Sequence, residues 1–478
     1  MRPSADRRHD EGTMPMKARA PTFAPWPSIA EIAQAVSSGR STAVEQAEEA
    51  IRRIGIGNPH LNAIVLFDPD DIRRRAAEVD RRAKAGEAMP LAGVPVTIKD
   101  NLWVEGLRIT LGSNLFKDFV APASAIAVER LERAGAVISG ISNTSEFACK
   151  GQTTNLLHGA TRHPLDLSLT PGGSSGGPVS AVAGGLLPLA IGTDAGGSSR
   201  RPPAHTGLVG FKPSFGAIPY GPGFEEPVPW VSCICPIART VAEAAMAFAV
   251  LSGFDPRDPH SVALPAGRAA REPTIAFTPK WGLDVPVEPE VRENMREVVA
   301  RLRAAGLKIV DRDPAWPEGL GENAVMPLQH AGLAAKYGAA WRADPASIDP
   351  DLGAQIEAGL KYTGVETARA WLASDRIAHV AAAFFVDSGV DFAIGPTTPC
   401  CAWPIELSAP PTIDGTPVGG RGHAVFTPLF NHSGQPAISI PSGVDGEGLP
   451  IGLQIVAPRF EDARLLEVAM RIEAVLSR

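Results

Sequence analysis

Between Gly172 and Gly210 the chain places 11 of its 48 glycines in 39 residues, and this concentration constrains the fold more than any other feature. Consecutive glycines raise the entropy lost on folding and make poor helix or strand interior. Pro171-Gly-Gly-Ser174-Ser175-Gly-Gly177 therefore predicts a loop whose backbone must approach something closely. A second such segment, Gly192-Thr-Asp194-Ala195-Gly196-Gly197-Ser198-Ser199-Arg200, places Ser198 24 residues beyond Ser174. Pro178 to Leu189, rich in Ala, Val and Leu, predicts a tightly packed helix and turn between them. Two Gly-flanked serines could then converge on one site.

Three chemistries compete for these segments. A phosphate-binding loop needs Gly-Lys-Ser/Thr after the turn, and Pro178 follows Gly177 instead. Gly172-Gly-Ser174-Ser-Gly176 satisfies the G-x-S-x-G nucleophile elbow, with His423 and His432 later in the chain, but that elbow needs a strand directly before it. His163 to Pro171 is bounded by prolines and makes a poor central strand. The third reading joins both segments. Ala195, Gly196, Gly197 and Ser198 offer successive backbone N–H groups with little side-chain bulk, as an oxyanion hole requires, and Ser198 is the nucleophile. A serine hydroxyl needs a base to take its proton, and no histidine flanks either segment. A lysine held neutral by burial can serve. Lys99 ends the apolar run Leu91-Ala-Gly-Val-Pro-Val-Thr-Ile-Lys99, and no S-x-x-K occurs, so lysine and serine must meet through the fold.

The rest of the composition narrows the function classes. With 44% hydrophobic and 20% charged residues the chain is globular. A net charge of −7 argues against a nucleic-acid or anionic-membrane partner held by a general basic field. No run approaches the roughly 18 apolar residues of a membrane span, and the start of the chain lacks the apolar core of a signal peptide. We expect no membrane association, a cytoplasmic location and a small ligand. Cys149, Cys233, Cys235, Cys400 and Cys401 form no paired CxxC array, and no His or acidic cluster accompanies them, so reduced thiols and no metal are expected. His158 and His163 read as loop supports.

Apolar spacing predicts helices over Ile29–Ile54, Ile72–Ala85, Ala127–Ala134, Val241–Leu251, Val291–Ala305 and Thr367–Phe385. Strands are expected at Leu91–Lys99, Gly135–Gly140, Lys308–Val310 and Val390–Ile394. Alternation of helix and strand implies a layered α/β sheet. Length alone suggests about three domains, yet no linker, repeat or boundary divides the chain.

Together these residues resemble the amidase signature family: Lys99-Asp-Asn, Pro171-Gly-Gly-Ser174-Ser-Gly-Gly, Gly192-Thr-Asp-Ala-Gly-Gly-Ser198-Ser-Arg and Gly207-Leu-Val-Gly-Phe-Lys-Pro213, with 75 residues from Lys99 to Ser174. Asn143-Thr-Ser-Glu-Phe147, Ile394-Gly-Pro-Thr-Thr-Pro399 and Gly448-Leu-Pro-Ile-Gly-Leu-Gln454 extend the likeness over most of the chain after about residue 70. The resemblance implies one large α/β/α domain around a central mixed, twisted sheet covered by helices. It would span residues 26–478 after a disordered tail over 1–25, with N-terminal helices at about 28–85, a catalytic core at about 90–250 and a helical and C-terminal sheet portion at about 270–478.

Carried over residue by residue, the resemblance implies an acyl-enzyme on Ser198, a cis-peptide serine at Ser174 after Gly173, and Lys99 as base. The amides of Ala195 to Ser198 form the oxyanion hole, while Ser175, Asp194 and Arg200 support the loop. It implies no cofactor, and it allows a homodimer. The substrate is a small-molecule amide or carbamate. The other activity of this family type, that of the glutaminase component of a glutamyl-tRNA amidotransferase, stands as the alternative, and a catalytically silent scaffold as a third. Departures from the usual pattern are Ser199, Pro178 and the Pro-rich, aromatic stretch Ile218-Pro-Tyr-Gly-Pro-Gly-Phe-Glu-Glu-Pro-Val-Pro-Trp230. For the substrate pocket we expect Phe147, Ala148 and Cys149 beside the glycine-rich loops, and Trp230 as a wall.

Overall fold

The computed structural model describes residues 18–265 and 272–477. Its strands, in chain order, are β1 (Ile64–Leu66), β2 (Pro95–Lys99), β3 (Val137–Ser142), β4 (Leu189–Asp194), β5 (Val209–Lys212), β6 (Cys233–Ala238), β7 (Thr274–Phe277), β8 (Lys308–Asp311), β9 (Phe392–Pro396), β10 (Thr412–Ile413), β11 (Thr416–Pro417), β12 (Ala437–Val444) and β13 (Pro450–Val456). Eleven of them form one sheet in the order β1-β3-β2-β4-β6-β5-β12-β13-β9-β7-β8, and β10 with β11 makes a separate hairpin. The sheet is mixed. β2 runs parallel to β3 and β4, and β7 to β8 and β9, whereas β4, β6, β5, β12, β13 and β9 follow one another antiparallel.

Strands β2, β3, β4, β6 and β9 are buried at every residue, as sheets covered by helices on both faces must be. This is the α/β architecture expected, and strands from the N-terminal, central and C-terminal portions of the chain share the one sheet.

Local chemistry explains where elements depart from expectation. The apolar spacing over Ile29–Ile54 supports two helices, Ile29–Ser37 and Ala43–Leu61. Gly39, at φ +72°, follows the first, and Thr42 opens the second by exchanging hydrogen bonds with Glu45 in a capping box. Helices Pro69–Lys84, Ile126–Arg133, Val241–Leu251, Pro289–Ala304 and Gly364–Ser388 lie where periodicity placed them. The Ala- and Val-rich segment between the serines folds as helix Gly176–Ala183 and then enters β4. Helices Glu322–Ala343, Pro350–Gly359 and Asp462–Leu476 were not anticipated.

Residues 18–25, assigned from sequence to a disordered tail, are instead held against the body. Ala20 N donates to Pro164 O at 3.1 Å, and Ala18 O accepts from Leu167 N at 2.8 Å. Beyond them Trp26 is buried, its indole N–H on Gly185 O at 3.0 Å and the Arg53 guanidinium 4.3 Å from its ring. Main-chain hydrogen bonds outweigh the charged, Pro-rich composition there. The remainder of that tail, residues 1–17, lies outside the described residues.

The topology delivers the chemistry-bearing residues to one place. In the parallel pair β2/β4, Ile98 is opposite Ile191, so the next residues along, Lys99 and Gly192-Thr193, lie side by side at the same end of the sheet. Residues 195–200 turn from the end of β4 into helix Arg201–Thr206. Helix Gly176–Ala183 starts one residue after Ser175 and packs closely: a Cβ on Gly177 would sit 2.3 Å from Asn143 O. Only glycine permits that approach.

Candidate active site

Lys99 is wholly buried at the end of β2. Its Nζ lies 2.8 Å from Ser174 Oγ and 3.1 Å from Thr193 Oγ1, and Thr193 Oγ1 also accepts from Asn101 Nδ2 at 2.9 Å. Burial pulls the amine's pKa from 10.5 down to about 7, against the opposing fields of Glu226 and Asp194. Half the lysines are then neutral near pH 7 and able to take a proton. Ser174 follows a cis peptide bond from Gly173, and its carbonyl is held by Thr144 Oγ1 and Thr153 Oγ1, each at 3.2 Å. Arg201 reaches Gly173 O at 3.4 Å. No strand precedes this loop among the described residues, since 163–171 carries only turns and isolated bridges. The nucleophile-elbow reading therefore loses its structural requirement.

The second loop is shaped by a buried carboxylate. Asp194 receives Arg200 through two hydrogen bonds of 3.0 Å, the Gly197 N–H at 2.7 Å, the Ser199 N–H at 3.1 Å and Asn431 Nδ2 at 2.9 Å. Burial alone would raise its pKa, but the Arg200 charge and these donors hold it well below the usual carboxylate range. Arg200 is itself completed by Gln454, Thr427 O and Asn431. Ser175 bonds Ser199 Oγ and Thr193 O, tying the two loops together.

Ala195, Gly196 and Ser198 face the cavity that Ser174 and Thr193 also line. Gly197 does not, and this corrects one member of the expected oxyanion hole. Its N–H is committed to Asp194, and its φ of +113° brings its Cα hydrogens against Thr427, where a Cβ would lie 2.0 Å from Oγ1.

Of the expected pocket residues, Ala148 and Cys149 line this cavity. Burial pushes the Cys149 thiol up to about 12, so it is protonated at neutral pH. Phe147 is turned away, buried and stacked on Tyr337 at 3.8 Å. Trp230 is 49% exposed and packs on Trp371 at 5.0 Å and His260 at 6.1 Å, outside the cavity. The Pro-rich stretch does supply a wall, but through Glu226, Pro227 and Val228. Sequence reasoning missed Thr193 and Asn101, although both stand inside quoted motifs. It also missed Val325, Met326 and Gln329, which enter from helix Glu322–Ala343. His432 lines the cavity as a neutral ring bonded to Ser374 at 2.8 Å, burial lowering its pKa to about 4, while His423 packs on Trp403. Among the described residues no cluster of three or more metal-ligating side chains occurs, and no helix is long and apolar enough to cross a membrane.

The family model of Amidase matches residues 45–466. The chain belongs to the amidase signature family. As a member of it, the chain is a hydrolase of C–N bonds. It is similar to the acylamidase of Rhodococcus erythropolis, 35% identical over 94% of this chain and 95% of that protein. It is also similar to the A component of the glutamyl-tRNA(Gln) amidotransferase of Symbiobacterium thermophilum, 33% identical over 94% of this chain and 96% of that protein. Among solved structures, a bacterial aryl acylamidase superposes with a TM-score of 0.86 at 29% identity, covering 94% of this chain and 96% of that one. The 6-aminohexanoate cyclic dimer hydrolase in complex with its substrate does so with 0.81 at 27%, covering 95% and 98%.

Proposed function

We propose that this amidase signature hydrolase cleaves a small-molecule carboxamide or aryl amide, with carbamates and esters within the same chemistry, through an acyl-enzyme on Ser198. The observation that carries this reading is the buried Lys99 amine 2.8 Å behind the Oγ of Ser174, which lines the cavity together with Ser198. Neutral Lys99 takes the proton of Ser174 while Ser174 takes that of Ser198, and Ser198 Oγ attacks the carbonyl carbon. The N–H groups of Ala195, Gly196 and Ser198 stabilise the negative charge that develops on oxygen, an effect worth about 10²–10³ in rate per donor. The relay reversed delivers a proton to the departing amine. Water then repeats the attack, releasing the acid and restoring Ser198. We place this activity in the cytoplasm.

The amidotransferase relatives favour a second reading, in which the same site releases ammonia from glutamine for partner proteins. A panel of anilides, aliphatic amides, carbamates and glutamine, assayed with the chain alone, separates the two. Anilide or amide hydrolysis by the chain alone supports the first. Glutaminase activity that arises only with co-purifying partners, alongside inertness to every other amide, would sink it.

A further inference from the structure

Glu226 is the sole carboxylate among the described residues that line the cavity holding Ser174 and Ser198. It stands in the Pro-rich stretch that departs from the family pattern, and its side chain is fixed. Tyr220 donates its hydroxyl to one carboxylate oxygen, and Ser232 Oγ donates to the other at 2.9 Å. Each oxygen of an ionised carboxylate can accept about two hydrogen bonds, so acceptor capacity remains on both. Lys150, Arg201 and Arg421 line the same cavity. Lys150, on the same wall, is already matched by Asp349 at 2.8 Å and Asp351 at 3.1 Å. The Tyr220 phenol, its pKa raised by burial and by this carboxylate, remains a donor at any working pH.

The surroundings strengthen whatever the carboxylate meets. Pro227, Val228, Val231, Val325 and Met326 form the neighbouring wall, and a charge among apolar groups interacts more strongly than in water. Lys99 feels Glu226 as its largest opposing charge, ahead of Asp194, so the carboxylate's field reaches the reacting centre.

We propose that Glu226 selects the substrate by binding a primary ammonium group carried on the amide. The inference rests on Ser198, Ser174 and Lys99 being the reacting groups, and it names the substrate class they act on: an amide bearing an amine within reach of the cavity wall.

Paired 4-nitroanilides that differ by one terminal amine test it, 4-aminobutanoyl against butanoyl and 6-aminohexanoyl against hexanoyl. The ratio of kcat/KM within one enzyme is the readout, so a general loss of activity cancels. Wild type is expected to favour the amine-bearing member of at least one pair by about tenfold or more, the scale of a hydrogen bond to a charged group. Glu226→Gln is expected to bring that ratio within about twofold of one. Ratios near one in wild type for both pairs, or a ratio that survives Glu226→Gln, overturn the proposal. Should the variant fail to fold, wild type alone decides: hexylammonium is expected to inhibit competitively at about one tenth the concentration of hexan-1-ol, and equal inhibition overturns the proposal. Failure of the catalytic reading has a different signature, no phosphonate adduct on Ser198, whereas failure at Glu226 leaves efficient hydrolysis without selectivity.

Discussion

Replacing Lys99 with Met keeps the length and much of the volume of the buried stem while removing the amine, and it is expected to change stability in a way that only a neutral buried lysine predicts. The fold lowers the amine's pKa from 10.5 to about 7. At about 1.4 kcal/mol per pH unit, that difference amounts to about 5 kcal/mol. Between these two values the unfolded chain binds a proton that the folded chain does not, so wild-type stability rises with pH through this window. It is lowest, by the full 5 kcal/mol, below about pH 7. Lys99→Met has no such dependence. It loses the contacts to Ser174 and Thr193, a pH-independent cost of about 1–3 kcal/mol, partly offset because Thr193 keeps Asn101. The variant is therefore expected to be less stable than wild type near pH 10 and more stable, by about 2–4 kcal/mol, near pH 6. Urea unfolding of both proteins at unit intervals from pH 6 to 10 measures the difference directly. Parallel curves, with no change in the gap over that range, would mean that Lys99 stays protonated in the folded chain, and the base assigned here would be wrong.

The same pKa sets the rate profile: kcat/KM is expected to fall as pH drops through about 7, to about a tenth of its plateau at pH 6, and a flat profile to pH 6 contradicts it. Arg200→Met leaves Asp194 buried without its cation and is expected to cost about 3–5 kcal/mol in chemical unfolding; a loss under 1 kcal/mol would show the Asp194–Arg200 pair to be dispensable. Trp230→Ala is expected to leave kcat/KM within about twofold on every substrate cleaved, because the indole packs on Trp371 and His260 outside the cavity. A tenfold change would return it to the wall that sequence suggested.

The candidate site was legible because its parts are unusual in composition. Glycine density marked both loops, and an apolar strand ending in lysine marked β2. What sequence could not show was how side chains reach back onto backbone. Successive small residues from Ala195 to Ser198 look equivalent on the page, but Asp194 claims the N–H of Gly197 and removes it from the cavity. The Pro-rich stretch was expected to wall the pocket through Trp230, and the residues of it that line the cavity are Glu226, Pro227 and Val228. Its large aromatic, Trp230, turns to solvent, and the shorter Glu226 is drawn inward by Tyr220 and Ser232. The helix Glu322–Ala343 was missed because Pro327 stands inside it and its apolar residues, many of them small, are spread over several sides, which blurs the helical period. The break between helices at 38–42 was available in principle from Gly39 and the Thr42-x-x-Glu45 pattern, but the apolar spacing carried across it.

In the proposed mechanism Ser198 Oγ is the atom that forms the covalent bond. Incubating the folded chain with a serine-directed fluorophosphonate and mapping the adduct by peptide mass spectrometry tests this in one measurement. We expect a single adduct on Ser198 in wild type, slower to form in Lys99→Met. An adduct on Ser174 with Ser198 unmodified, or no adduct on Ser198 in folded protein, would contradict the mechanism.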